Sequence, residues 1–180
     1  GARIANAAAS LGLPLRAFTT DVGVDVLSLG GTKNGALLAE AVVVLDPDAA
    51  DGLVYLRKNQ MQLASKMRFV SAQLLALFDG DLYLRSARHA NAMAARLRAG
   101  IEAGVADGSL AGVELTQATD ANAVFAVLPE GVADRLRARF RFYDWDAARR
   151  EVRWVCGFDT TEEDVDAFTA ALRAELAPAA

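Results

Sequence analysis

The sequence predicts an α/β chain: two short strands, a long helical stretch, and a small α+β region at the end. Three observations predict it. Apolar runs at residues 25–29 and 36–45 flank a Gly-rich turn, and the second run carries Val42, Val43 and Val44, residue types that favour strands. Residues 56–103 repeat apolar positions at helical spacing. The remainder alternates strand-like and helical segments in the order β-β-α-β-β-α, which points to a small antiparallel sheet with helices on one face.

Residues 2–10 are Ala-rich and favour a helix that Gly12 and Pro14 end. Residues 25–29 read as a strand, residues 30–35 (GGTKNG) as a turn, and residues 36–45 as a second strand closed by Asp46-Pro47. Continuous rather than alternating apolar character fits a strand buried on both faces. Between residues 56 and 103, Met61, Leu63, Ala64, Met67, Phe69, Val70, Leu74, Leu75 and Leu77 form a wide apolar stripe. Gly80 marks a break or kink, and Gly100 and Gly104 mark the end of the stretch.

Residues 113–116 and 123–128 are strand-like, residues 131–139 form a short basic helix, and residues 140–145 and 151–156 are strand-like again. Thr160-Thr161-Glu162-Glu163 opens a last helix to residue 176, with Thr160 as cap and Glu163 completing a capping box. The boundary between the helical stretch and this region is expected near residues 104–112.

A net charge of −4 and a pI near 5.0 argue against nucleic acid as a main partner, because phosphate binding needs clustered Lys and Arg. The longest apolar run is interrupted by Glu40 and is too short to cross a bilayer, so no membrane partner is expected. No charged-then-apolar leader opens the chain, and no secretory signal is expected. Cys156, the single cysteine, makes no internal disulfide, and no Cys/His cluster offers a metal site. A reducing, cytoplasmic setting is the simplest expectation. His89, the single histidine, lies in helical pattern with no Ser or Cys partner signature. The chain starts at Gly1 rather than Met and enters a helical pattern at once, so it reads as a piece of a longer protein.

Of 19 basic residues only Lys33, Lys58 and Lys66 are lysines. Lys33 sits in the turn between the two apolar runs. If those strands are buried, desolvation disfavours its charged form. A neutral amine can attack a carbonyl, which a guanidinium cannot. Gly30, Gly31 and Gly35 permit positive φ and close approach of a ligand, while Thr32 offers a hydroxyl and Asn34 an amide. The plainer alternative is a surface hairpin turn with a solvated lysine. A P-loop is excluded, because there the lysine follows the last glycine and here Gly35 follows Lys33.

Asp25-Val26-Leu27-Ser28-Leu29-Gly30-Gly31-Thr32-Lys33-Asn34-Gly35 resembles the cofactor-lysine segment of the pyridoxal-phosphate-dependent threonine aldolase and phenylserine aldolase family. Gly1-Ala2-Arg3 with Ile4-Ala5-Asn6-Ala7 is similar to the tail of the family's His-x-Asp-Gly-Ala-Arg motif. The stretch from Arg57-Lys58 to Arg68-Phe69 is similar to its domain-linking helix. Val152-Arg153-Trp154-Val155, followed by Asp159, is similar to its C-terminal arginine strand. The resemblance covers essentially the whole chain.

It implies the C-terminal half of a fold type I (aspartate-aminotransferase-like) enzyme. Residues 1–55 would end the large, mostly parallel-sheet domain, residues 56–104 would be a long linking helix, and residues 105–180 a small α+β domain. It implies pyridoxal phosphate as cofactor, held by Lys33 with Gly31 and Thr32 beside it. Arg3 and Arg153 would hold the substrate carboxylate, and Arg68 would approach the cofactor phosphate from a neighbouring subunit. For Arg3 and Arg153 the alternatives are a solvated first-turn residue and an outward strand residue; for Arg68, an exposed arginine of an amphipathic helix. Lys58 and Lys66 are expected to be solvated. The implied reaction cleaves threonine or a related β-hydroxy-α-amino acid to glycine and an aldehyde, in a dimer or tetramer.

Three features depart from the family pattern. Its pyridine-binding Asp would fall just before Gly1, its stacking His and phosphate loop lie further upstream, and many members carry His where this chain has Gly157. Activity is therefore expected of a parent protein rather than of these residues alone. The rivals are a β-eliminating lyase acting on another amino acid and a non-catalytic remnant.

Overall fold

The computed structural model describes residues 1–177; residues 178–180 of the expected terminal region lie outside that description. The chain forms two compact units, Gly1–Arg88 and His89–Ala180, with the division falling inside one long helix.

In the first unit α1 (Ile4–Leu11) ends where Gly12 adopts the left-handed conformation, φ 65°, and donates its N–H to Ala8 O at 3.0 Å. This is a glycine C-cap, as the sequence indicated. Two short 3-10 turns lead to β1 (Val26–Gly30), which pairs with β2 (Glu40–Val44). The pair is antiparallel, with Val26 opposite Val44 and Gly30 opposite Glu40. Residues 31–39 are too short a connection for the crossover that a parallel pair needs. Residues 36–39 belong to the turn, so the second strand is shorter than its apolar run. Both strands alternate half-buried and exposed positions, against the expectation of burial on both faces. Val26, Val42 and Val44 lie on the exposed face.

The helical stretch is also divided. α2 (Leu53–Asn59), α3 (Arg68–Phe78) and α4 (Leu82–Ala106) replace a single helix with one break. Gly80, at φ 127°, makes the expected break between α3 and α4. The unexpected one, at residues 60–67, is flanked by Met61 and Lys66, both at positive φ (54° and 60°). Left-handed residues cannot continue a right-handed helix. The expected apolar stripe is consequently dispersed: Leu77 is buried, but Met61, Leu63, Phe69 and Leu75 are exposed. Gly100 and Gly104 do not end α4 but lie within it.

In the second unit β3 (Glu114–Leu115), β4 (Ala123–Val127), β5 (Tyr143–Asp146) and β6 (Glu151–Val155) form an antiparallel sheet in the order β3-β4-β6-β5. α5 (Val132–Arg137) and α6 (Glu162–Leu176) join α4 on one face. Val124, Ala126, Val152 and Trp154 point inward against Leu97 and Ile101 of α4, Leu136 of α5, and Val165, Phe168 and Leu172 of α6. Each large side chain buried this way contributes about 1.5–3 kcal/mol of transfer free energy. The β-β-α-β-β-α order and the one-sided helices match the sequence reading. The capping box lies one residue later than expected, on Thr161 and Asp164: Asp164 N donates to Thr161 Oγ1 (3.1 Å) and Thr161 N to Asp164 Oδ2 (2.9 Å). Thr160 is otherwise engaged, its Oγ1 accepting from Gly157 N at 2.8 Å.

Candidate active site

The loop after β1 is held by hydrogen bonds at Gly31, Thr32, Asn34 and Ala36. Gly31 N donates to Ala39 O (2.7 Å), and Gly31 O accepts from both Asn34 N (2.9 Å) and Ala36 N (3.1 Å). Asn34 is buried, and its Nδ2 donates to Tyr83 O at the start of α4 (2.9 Å). Thr32 Oγ1 donates to Glu40 Oε1 (3.0 Å), which lies across the hairpin over Gly30. Gly31 cannot be larger: a Cβ there would lie 2.8 Å from Leu77 Cδ1 and 3.0 Å from Ala36 Cβ. Gly35, at φ 103°, occupies backbone space that side chains disfavour. Gln73 of α3 completes the frame, accepting from Leu37 N (2.9 Å) and Leu38 N (3.2 Å) and donating to Leu38 O (3.3 Å).

Within this frame Lys33 is exposed and its ammonium has no hydrogen-bond or ion-pair partner among the described residues. Its exposure corrects the expectation of a desolvated amine. The strands expected to bury it are themselves half-exposed, so in this chain Lys33 is a presented amine rather than a buried one. Thr32 and Gly31 stand beside it, as expected. Glu40 and Gln73 were not anticipated; an acid and an amide breaking otherwise apolar runs were the available signals.

Arg3 is half-buried at the N-cap of α1, where its carbonyl accepts from Ala7 N at 3.2 Å. Arg68 opens α3, exposed, with its guanidinium 4.7 Å from the centre of the Phe69 ring and no acidic partner among the described residues. Lys58 and Lys66 are exposed. Gly31, Thr32 and Lys33 therefore form one loop, while Arg3 and Arg68 sit on separate helices of the same unit.

Arg153 belongs to the second unit. It lies on the face of the sheet opposite α4, α5 and α6, half-buried, with Phe125 opposite it on β4 and Tyr143 opposite it on β5. Its guanidinium lies 5.0 Å from the centre of the Trp145 ring. Arg96, Arg98, Arg135 and Arg137 each meet a carboxylate, whereas Arg153 meets none among the described residues. Glu151, on the same face, is buried and engaged by the Thr116 hydroxyl.

His89 is exposed on α4, and its Nε2 lies 2.6 Å from Thr160 O. A carbonyl only accepts, so Nε2 carries the proton in this contact. Cys156 is buried in the second unit's core, where burial pushes its thiol up to about 11. Both fit structural roles. A side chain at Gly157 would place Cβ 2.7 Å from Asp159 Oδ1, so any larger residue requires Asp159 to move. Among the described residues no group of three or more His, Cys, Asp or Glu side chains could hold a metal ion, and no helix is long and apolar enough to cross a membrane.

Comparison with known proteins adds a family to this geometry. A profile for the beta-eliminating lyases matches residues 1–128. The chain is 42% identical over 166 residues to a low specificity L-threonine aldolase of Pseudomonas aeruginosa, covering 92% of this chain and 46% of that protein. It is 39% identical over 177 residues to a low specificity L-threonine aldolase of Pseudomonas sp., covering 98% of this chain and 49% of that one. A solved threonine aldolase from Leishmania major superposes with a TM-score of 0.83 at 26% identity, covering 98% of this chain and 51% of that structure. The chain thus spans about half the length of the relatives it matches, and its fold is that of the C-terminal half of a fold type I enzyme.

Proposed function

Because this chain belongs to the beta-eliminating lyase family, whose members use pyridoxal phosphate, we propose that it forms part of an aldolase cleaving β-hydroxy-α-amino acids such as threonine to glycine and an aldehyde. The observation that carries the reading is a lysine with no partner among the described residues, in a loop held by hydrogen bonds at Gly31, Thr32, Asn34 and Ala36. Pyridoxal phosphate presents an aldehyde, and a primary amine held on a rigid glycine loop is the group that fits it. When bound, the cofactor supplies an electron-accepting ring that stabilises the charge developing as the Cα–Cβ bond breaks.

In this reading Lys33 holds the cofactor, with Gly31 and Thr32 against it. Gly31 lets the backbone approach closely, and Thr32, anchored to Glu40, keeps the loop's direction. Arg68 serves the cofactor phosphate. Arg3 and Arg153 hold the substrate carboxylate, since a guanidinium fork grips a carboxylate by two parallel N–H bonds and fixes its orientation. Orientation matters because the bond to be cleaved has to stand perpendicular to the cofactor ring. Residues 1–55 complete a cofactor-binding domain, residues 56–104 link it onward, and residues 105–180 form the small domain. The working protein is a cytoplasmic homo-oligomer, a dimer or tetramer.

The test is borohydride trapping with pyridoxal phosphate, in this chain alone and within a polypeptide of its relatives' length, followed by mapping of the modified lysine. Labelling confined to Lys33, with Lys58 and Lys66 untouched, supports the assignment; scattered labelling in the longer polypeptide rules it out. The family description also accommodates a lyase that eliminates at Cβ. Product analysis separates the two, since elimination releases ammonia and an oxo acid instead of glycine.

A further inference from the structure

We propose that Trp145 is a positioning residue for Arg153, holding the guanidinium flat so that its N–H edge stays free for the substrate carboxylate. The inference rests on the carboxylate role assigned to Arg153 above. It extends that role to a residue outside the four segments that resemble the family.

Strand register places Trp145. Tyr143 pairs with Arg153 and Asp144 with Val152, but Glu151 pairs with Asp146. Trp145 is therefore the extra residue of a β-bulge. A bulge bends its strand and re-aims the side chain it carries. Here it brings the indole to the Arg153 guanidinium, 5.0 Å from ring centre to Cζ. Phe125, opposite Arg153 on the other side, meets Trp145 edge-on with ring centres 5.1 Å apart and planes at 74°. The indole is thus braced, although Trp145 itself is 53% exposed.

What an arginine needs here is support that does not consume its donors. A carboxylate partner would occupy the N–H fork. An aromatic face attracts the cation and leaves the in-plane N–H groups available. The acid nearest in register, Glu151, is already taken by the Thr116 hydroxyl and stands 3.9 Å from Arg149. The open face of the sheet therefore presents a cation that is oriented without being neutralised by a neighbouring acid.

The test reads KM for threonine in the cofactor-loaded protein. Trp145→Leu keeps an apolar side chain and removes the aromatic face; KM is expected to rise about two- to fivefold. Trp145→Phe keeps a face and is expected to return KM close to its original value. Arg153→Gln is expected to raise KM further than either. An unchanged KM in Trp145→Leu beside a raised one in Arg153→Gln overturns the role of Trp145 and leaves that of Arg153 standing. An unchanged KM in Arg153→Gln overturns both. A second readout needs no turnover: glycine titration is expected to change the emission of the Trp145 indole, and Trp145→Phe to abolish that change. Persistence of the whole change in Trp145→Phe, where Trp154 is this chain's other tryptophan, also overturns the proposal.

Discussion

Gly104→Ala and Gly100→Ala make the same chemical change on the same helix and are expected to move stability in opposite directions. In a helix interior, Ala is favoured over Gly by about 0.8–1 kcal/mol. At Gly100 the added Cβ would lie 3.4 Å from Thr169 Cγ2 and Oγ1, the edge of ordinary contact, so the propensity gain is retained. At Gly104 the Cβ would lie 2.6 Å from both Cδ1 and Cγ of Leu110. Leu110 is fully buried, and its own N–H is bound to Gly104 O at 2.8 Å. It cannot retreat without breaking that bond or leaving its rotamer. Overpacking of this kind costs about 1–3 kcal/mol. Set against the propensity gain, that cost leaves Gly104→Ala destabilised by up to about 2 kcal/mol, while Gly100→Ala stabilises by up to about 1 kcal/mol. Urea unfolding followed by Trp154, buried in the same unit, reads both. A Gly104→Ala protein as stable as the parent would refute the packing account of these glycines.

Four further outcomes follow from the contacts. Asn34→Ala removes the donor to Tyr83 O in a buried setting and should cost about 1–3 kcal/mol in unfolding stability, with lower borohydride labelling at Lys33 in the same samples. Cys156 should resist alkylation in the folded protein near neutral pH and react rapidly once urea exposes it, since burial both covers the thiol and raises its pKa to about 11. Thr161→Ala should cost about 1 kcal/mol through the lost cap, measured by thermal unfolding, whereas Thr160→Ala spares that cap. Asp164 adds a pH dependence: the hydrogen bond from Thr161 N, ahead of that with the Thr161 side chain, holds its carboxyl below the ordinary aspartate value of 3.8. Its stabilisation is complete above that value and is lost as pH falls through the lower folded one. Asp164→Asn should flatten the acid side of the stability profile accordingly.

The strand positions and the one-sided helices of the second unit were legible because each apolar run there has its own turn signal. The misreadings arose where local chemistry was degenerate. Thr160 and Thr161 are each followed three residues later by an acid, Glu163 and Asp164, so the sequence offered two capping boxes in adjacent registers. The choice depended on Gly157 N, which occupies Thr160 Oγ1. Gly100 and Gly104 look like helix stops because glycine is a poor helix former, but close packing, here of Gly104 against Leu110, is a second reason a helix carries glycine, and it is a tertiary one; nothing in the packing requires glycine at position 100. The break at residues 60–67 had no glycine or proline to announce it. Met61 and Lys66 take the left-handed conformation without a residue type that favours it.

The candidate site divides along the same line. The Lys33 loop stood out because its marks are local: three glycines around one of the chain's three lysines, in a turn between two apolar runs. The surroundings of Arg153 were not, because they depend on pairing between strands distant in sequence. Strand alternation alone assigns Phe125 and Arg153 to one face and Val124, Ala126, Val152 and Trp154 to the other. A slip of one residue would exchange those faces and turn Arg153 into the core. The core thereby fixes the site: burying Trp154 and Val152 leaves Arg153 no alternative but the open face. Alternation does not account for the bulge at Trp145. Regular pairing would set Trp145 opposite Glu151, but the observed register gives that place to Asp146 and leaves the indole to Arg153.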